Sequence, residues 1–549
     1  MTIIPDTLSL YSRMLPNKSK KMFKNKFSIG AVLLVMGLVA VLCLPSCAER
    51  QKVVMDNNNV VKFRTPKYIF FFIGDGMSLP QIRLAEAVLA TEGFEEAFLR
   101  ESGVRVERDK LFMSRFPASG LATNHANNRF ITGSAAAGTA LATGNKTTIN
   151  TISMNDDRSL AQTTMAEMAK AGGKKVGIIS SVSLDHATPA TFYAHTEDRN
   201  NYEIIGEQLL GSGVDYFAGG FVRHDTYKNK SYEDYLRMLG DSGYLFVDNR
   251  EQFEALTNGS GKVFATISGM DSHNGDDMAL PYNIDLDLQN SKDQTITLAE
   301  FTRKGIELLD NKEGFFMMVE GGKIDWACHA NDVVSNVYET VSFDNAIGVA
   351  LEFYEQHPKE TLIVVTGDHE TGGLSIGFAG TGYGTYFEKL LKQNISFKLY
   401  QDMVRNWAAE GKVTFDDALA SLEESFGLGD TTVGLKLTDY DISRLKNAFN
   451  LSMKLEKFSV LGEERAVLYG SYDPFTVTAT RILANKAGVG WTSFSHTALP
   501  LVVLAIGEGH ELFNGCYDNT DIAKKIMLAG GYSGEEFFVM PPVDSTFVE

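Results

Sequence analysis

With 549 residues, 44% hydrophobic and 22% charged, the chain can form one large α/β domain with insertions or two or more domains, and wholesale disorder is not expected. A formal net charge of −18 argues against nucleic acid as a specific partner, because no basic surface is available for counterion release. The same charge repels phosphate, so an anionic substrate would need metal ions to reverse the local field.

The first residues read as a targeting segment. Lys18, Lys20, Lys21, Lys24 and Lys26 precede an apolar run over 27–44, and Leu44-Pro45-Ser46-Cys47 follows. The Leu-x-Ser-Cys ending resembles a bacterial lipobox. It predicts a signal peptide over 1–47 with Cys47 lipidated, and hence an exported chain anchored by lipid in the periplasm or outer membrane. The competing reading is an uncleaved anchor, since the apolar run is nearly long enough to span a bilayer. Residues 48–64 read as a polar tether. Beyond the leader only Cys328 and Cys516 remain, and both are expected to be reduced and buried.

A core over 65–382 opens with an apolar strand at 68–73, which stops at Gly74-Asp75-Gly76-Met77. The glycines let the backbone turn sharply and approach a ligand, and Asp75 is either a turn residue or a ligand at a strand end. The run Thr132-Gly133-Ser134-Ala135-Ala136 opens an alanine-rich helix. Ser134 at its start is either a plain N-cap or a nucleophile in the field of free N–H groups. No Ser-His-Asp spacing or Gly-x-Ser-x-Gly elbow accompanies it, so a nucleophilic role would need metal activation.

A strand at 176–180 leads to Asp185-His186-Ala187-Thr188-Pro189, then His195 and Arg199. Arg199 is a candidate phosphate clamp through its planar fork, or else a surface salt-bridge residue. Residues 211–314 read as short helices and loops, with helices at 232–239 and 298–309 and with His224 and His273 solvated. A strand at 315–319 ends in Glu320 and precedes Asp325 and His329, which at i and i+4 share a helix face and suit joint ligation of one ion. An amphipathic helix over 337–355 then leads to a strand at 362–365, completing a βαβ unit. That strand ends in Asp368-His369, a carboxylate and an imidazole at the carboxyl end of a buried strand, where open α/β sheets place their chemistry. Residues 383–485 are helical in character, at 387–392, 397–409, 414–426 and 438–449, and read as an inserted lid or crown. The core resumes over 486–549, with His496-Thr497 before a last strand at 501–506.

The ordered set of Gly74-Asp75-Gly76-Met77, the Ser-Ala-Ala run at Ser134, His186-Ala187-Thr188-Pro189-Ala190, Val319-Glu320-Gly321, Asp325 with His329, Asp368-His369 and His496-Thr497 resembles the alkaline phosphatases. The resemblance covers roughly 67–373 and 489–507. It implies an α/β three-layer sandwich with a central, mostly parallel sheet, to which the helical insertion is added. It implies two zinc ions and one magnesium. Asp325, His329 and His496 would hold one zinc, Asp75, Asp368 and His369 the other, and Asp75, Thr188 and Glu320 the magnesium. Small-molecule phosphomonoesters would be the substrates, Ser134 the nucleophile and Arg199 the brace on phosphate. A homodimer is a candidate assembly. Three divalent ions against the four carboxylates leave the set at about +2, which matches a phosphate dianion.

Three positions depart from the family pattern. Gly133 stands where an Asp often braces the arginine, so Arg199 is expected to lack that partner unless Asp198 supplies it. His186 and Trp326 stand where some members have Asp and Lys, and are candidate contacts to phosphate or the third metal. A phosphodiesterase of the same superfold would lack the Thr188–Glu320 pair. A sulfatase would carry a Cys-x-Pro-x-Arg motif that is not found. A phosphate-binding lipoprotein without catalysis is the rival from another class.

Overall fold

Runs of β-branched and aromatic residues set the strands, and nearly all of them end where the chain must turn towards one edge. The computed structural model describes residues 52–56, 59–91, 110–223, 230–267, 278–286, 295–454 and 462–532. The leader with Cys47, and His224 and His273, lie outside the described residues. These residues fall within one compact unit, Gln51–Glu549. No helix among them is long and apolar enough to cross a membrane.

Strands β1 (Lys52–Asp56) and β2 (Asn59–Phe63) pair as an antiparallel hairpin. Most of the stretch read as a tether is therefore ordered, and Val61 and Phe63 are buried. Their alternation with polar residues is strand periodicity, which the overall polarity of the stretch obscured.

The central sheet has ten strands. They are β3 (Tyr68–Gly74), β4 (Ala118–Thr123), β5 (Lys175–Ser180), β6 (Tyr216–Gly219), β7 (Tyr244–Val247), β8 (Lys262–Ala265), β9 (Phe315–Gly321), β10 (Thr361–Gly367), and then β15 (Leu501–Gly507) and β16 (Gly515–Asp518). Their order across the sheet is β16-β4-β15-β10-β3-β9-β5-β6-β8-β7. Every pairing is parallel except the two made by β15, which runs against β4 and β10. The remaining short strands are β11 (Glu370–Thr371), β12 (Ser375–Ile376), β13 (Val489–Gly490) and β14 (His496–Thr497), which form two ribbons, β11 with β14 and β12 with β13. Cys516 lies on the edge strand β16 and is exposed, contrary to expectation, while Cys328 is buried; both are free.

Residues 211–314 contain three strands of the sheet, β6, β7 and β8, rather than helices and loops alone. Each is only four residues long, too short for a periodic signal. The helix before β10 runs Val333–Gln356 and is buried around most of its circumference over 333–350, so it is a core helix and not an amphipathic one. It packs on β3, β9 and β10, while Leu298–Leu309 packs on β5 and β6. The segment read as an insertion contains the helices Phe397–Glu410, Phe415–Phe426, Asp439–Ser452, Glu463–Tyr469 and Pro474–Ala487. Its ends are joined at the β12–β13 ribbon.

Candidate active site

The in-register pairing of β10, β3 and β9 places three strand ends side by side, with Gly367 opposite Gly74 and Ile73 opposite Glu320. Asp75 and Asp368 each stand one residue beyond a strand end, so they are neighbours on one edge. Gly76 has φ +73°, and a Cβ there would lie 2.7 Å from Asp325 Cα. A side chain would hold the Asp75 turn away from the helix Lys323–His329 that carries Asp325 and His329. β5 delivers His186, Thr188 and Arg199 to the same edge, and β4 leads to the helix Ser134–Thr143. His496 precedes β15. Because β15 runs in the opposite direction, its start lies where the other strands end.

The structure therefore brings all the predicted residues together. His369 Nε2 lies 3.2 Å from Asp368 Oδ2, 3.4 Å from Asp75 Oδ1 and 3.3 Å from Ser134 Oγ. His329 Nε2 lies 3.3 Å from Asp325 Oδ2 and 3.1 Å from His496 Nε2, which is 3.7 Å from Asp325 Oδ1. Thr188 Oγ1 lies 3.4 Å from Asp75 Oδ2. Three groups could each hold a cation: Asp325, His369 and His496; Asp75, Asp368 and His369; and Asp75, His186 and Glu320.

The surroundings fix how these groups present themselves. His329 Nδ1 faces the Phe494 carbonyl at 2.6 Å and His496 Nδ1 the Thr132 carbonyl at 2.9 Å. A carbonyl can only accept, so both Nδ1 atoms carry the proton and both Nε2 lone pairs point at the cluster. The Thr371 hydroxyl bonds to Asp325 Oδ1 at 2.5 Å and lies 3.3 Å from His369 Nδ1, giving His369 the same tautomer. Two imidazole lone pairs 3.1 Å apart repel each other unless a proton or a metal ion lies between them, and Asp325, against the opposing effect of burial, raises the His329 imidazole above its usual range. Asp75 Oδ1, Asp368 Oδ2 and Glu320 Oε1 are buried without a hydrogen-bond partner. Burial, then Asp368, Asp325 and Glu320, push the Asp75 carboxyl well above its usual range. Burial chiefly pushes Glu320 up to about 8 and Asp368 up to about 7. Asp325 goes the other way, because His329, His496 and His369 outweigh its burial. Orphaned carboxylate oxygens and converging Nε2 atoms fit metal ions, with imidazole–carboxylate sets suiting zinc.

Arg199 has a partner, although not the expected one. Its Nη2 donates to His186 Nε2 at 3.0 Å, while Asp198 accepts from the Asn200 backbone N–H. Burial, with Arg199 and Arg223 nearby, holds the His186 imidazole neutral, which leaves it an acceptor. Trp326 packs edge-on to His186 at 5.8 Å. At Gly133 a Cβ would meet only Ile149 at 3.4 Å and His496 at 3.9–4.0 Å.

Residues that sequence reasoning missed hold the ligands in place. Glu370, fully buried, accepts from Gln81 Nε2 at 2.8 Å, from the Leu374 and Gly373 backbone at 3.1 and 3.2 Å, and from the Thr497 hydroxyl. It pairs with Thr497 across β11 and β14, and Thr371 pairs with His496. The sequence signal was adjacency: Glu370 and Thr371 directly follow His369. A cleft of about 440 Å³ opens over Ser134, Arg199 and His496, and the insertion supplies part of its wall, including Phe397, Gln401 and Tyr472. Nothing in the sequence connected those residues with the site.

Carboxylates and imidazoles shared among three groups that could each hold a cation, with a serine hydroxyl in contact, suit an α/β hydrolase that works through bound metals. Comparison with known proteins makes the class specific. A sequence model of the family described as alkaline phosphatase matches residues 66–532. Alkaline phosphatase 3 of Bacillus subtilis is 31% identical over 411 residues, covering 73% of this chain and 78% of the relative. Alkaline phosphatase 4 of the same organism is 29% identical over 473 residues, covering 84% and 89%. The crystal structure of a cold-active alkaline phosphatase from the psychrophile Shewanella sp. superposes with a TM-score of 0.66 at 28% identity, covering 84% of this chain and 99% of that one. The chain belongs to the alkaline phosphatase family, and it is a phosphatase.

Proposed function

We propose that the chain hydrolyses phosphomonoesters to alcohol and inorganic phosphate through a phosphoserine formed on Ser134, with two zinc ions and one magnesium ion. The observation that carries this reading is the contact of Ser134 Oγ with the ligand cluster, 3.3 Å from His369 Nε2. Asp325, His329 and His496 would hold one zinc and Asp75, Asp368 and His369 the other. Asp75, Thr188 and Glu320 would hold magnesium, and His186 stands beside that set. When bound, the ions supply positive charge that offsets the clustered carboxylates and lowers the pKa of oxygen nucleophiles.

The chain's own residues do the rest. Ser134 begins a ten-residue helix, where free backbone N–H groups face an incoming anion. Its Oγ forms the bond to phosphorus as the alcohol departs, and water later releases inorganic phosphate. Arg199 grips two phosphoryl oxygens with its planar fork. His186 orients that fork by accepting one guanidinium N–H, the role first sought in an acidic neighbour. Ser134→Ala should lower kcat by roughly a thousandfold or more and abolish the acid-stable phosphoenzyme trapped with labelled substrate. Mapping the label to Thr132, or retention of it in Ser134→Ala, would refute the assignment.

A further inference from the structure

The cleft is lined by two chemically different sets of residues. Ser134, Arg199, Asp325, His329 and His496 form one set, and Tyr282, Phe397 and Tyr472 form an aromatic wall. We propose that this wall is a leaving-group subsite for a planar ring, so that the enzyme prefers phosphomonoesters of ring-bearing alcohols, nucleoside 5′-monophosphates among them, over ring-free esters. The proposal rests on the phosphatase reading above.

Three separate segments build the wall, and their rings interlock. Tyr282 and Phe397 meet edge-to-face at 5.5 Å, Phe397 and Tyr472 at 5.7 Å, and Tyr472 continues to Phe494 at 6.4 Å. The first turn of the helix Phe397–Glu410 is held by two buried carboxylates. The Ser396 backbone and hydroxyl donate to Asp285 at 2.7 and 2.5 Å, and the Phe397 N–H donates to Asp332 at 2.9 Å. Gln393, also from the insertion, donates to Asp332 at 2.9 Å. Gln401 accepts from the Asp473 N–H at 3.1 Å, which ties the helix to the segment carrying Tyr472. A wall fixed in this way binds a ring without first having to be ordered.

The polar groups of the wall suit a heterocycle rather than a second anion. Lys398 is ion-paired with Asp402 at 2.7 Å, so its charge is matched within the helix. Gln401 and Ser471 also line the cleft and offer neutral hydrogen-bonding groups. Among the described residues of this wall none is acidic. A dianionic phosphate beside Ser134 and Arg199 and a neutral ring beside Phe397 and Tyr472 fit that lining.

Adenosine 5′-monophosphate and ribose 5-phosphate test the proposal, because both release a primary alcohol of the same sugar and differ by the base. The purified metal-loaded enzyme should show kcat/KM roughly tenfold higher for adenosine 5′-monophosphate. Adenosine should inhibit ribose 5-phosphate hydrolysis competitively. Phe397→Leu and Tyr472→Leu, which keep an apolar side chain but remove the ring, should each bring the ratio towards one. Circular dichroism reports whether each variant has folded. Equal kcat/KM in the parent enzyme, or an unchanged ratio in both variants, would overturn the subsite while leaving the phosphatase reading intact. No phosphate release from either ester would overturn both.

Discussion

At the scale of single residues, the ligands depend on neighbours that never touch substrate. Glu370 joins the His369 segment to the His496 segment through Thr497, and its carboxylate accepts four hydrogen bonds from neutral donors. Glu370→Gln keeps the shape but replaces one accepting oxygen with an N–H₂ group that must face another donor. Groups of this kind typically change metal affinity by about 10–100-fold. We therefore expect zinc to be lost to a competing chelator at about tenfold lower chelator concentration in Glu370→Gln; unchanged retention would show that Glu370 only fills space. His186 shows why one contact was missed in the sequence. An arginine is ordinarily expected to seek an acid, whereas here a neutral imidazole, kept neutral by burial, accepts its hydrogen bond.

At the scale of elements, close packing behind the site leaves little slack. Gly321 ends β9 one residue after Glu320, and a Cβ there would fall 2.8–2.9 Å from the ring of Phe343. Phe343 is fully buried in the helix Val333–Gln356 and packs on Phe72 at 5.9 Å. Gly321→Ala must therefore displace the core helix or the strand, at a cost of about 1–3 kcal/mol. A lowered urea midpoint with an unchanged slope would show this, and an unshifted midpoint would show that the helix yields freely. The same packing explains what was legible in the sequence. Strands such as Thr361–Gly367 are buried on both faces, so they read as unbroken apolar runs, and a polar residue ending such a run stands out. Asp75, Glu320 and Asp368 were found in this way. The four-residue strands β6 to β8 carry too few residues for a pattern. The cleft wall was illegible for a different reason. Phe397 and Tyr472 reach the site only through tertiary docking of the insertion, which local sequence does not encode.

At the scale of the whole molecule, stability and metal content are coupled. Without cations, Asp75 stays well above its usual range, Glu320 titrates near 8 and Asp368 near 7, each with burial as the first cause. In the unfolded chain such acids lose their protons near pH 4. Between those limits these three acids hold more protons in the folded chain than in the unfolded one, so their contribution to folding stability falls as pH rises. Chelated protein should therefore show a thermal midpoint that drops from pH 7 to pH 9, above the range in which the buried, neutral His186 and His369 favour the folded chain as pH rises. Zinc and magnesium should reverse the drop, because ionised carboxylates are then the favoured form. A midpoint in chelated protein that rises over this interval would contradict the placement of those three acids.

The reversed strand β15 also has a consequence for biogenesis. It lies between β4 and β10, so these two strands have no direct pairing with each other and await a segment made long after either of them. The same late segment brings His496, without which one ligand set lacks an imidazole. A growing polypeptide thus leaves β4 without either neighbour from early in translation, and β10 without one of its two from residue 367 to residue 501, and these edges are open to wrong partners. On the proposed mechanism it gains activity only once residues 496–507 have left the ribosome and inserted. On that mechanism, activity is a property of the nearly finished chain, withheld during synthesis by the order in which its strands are made.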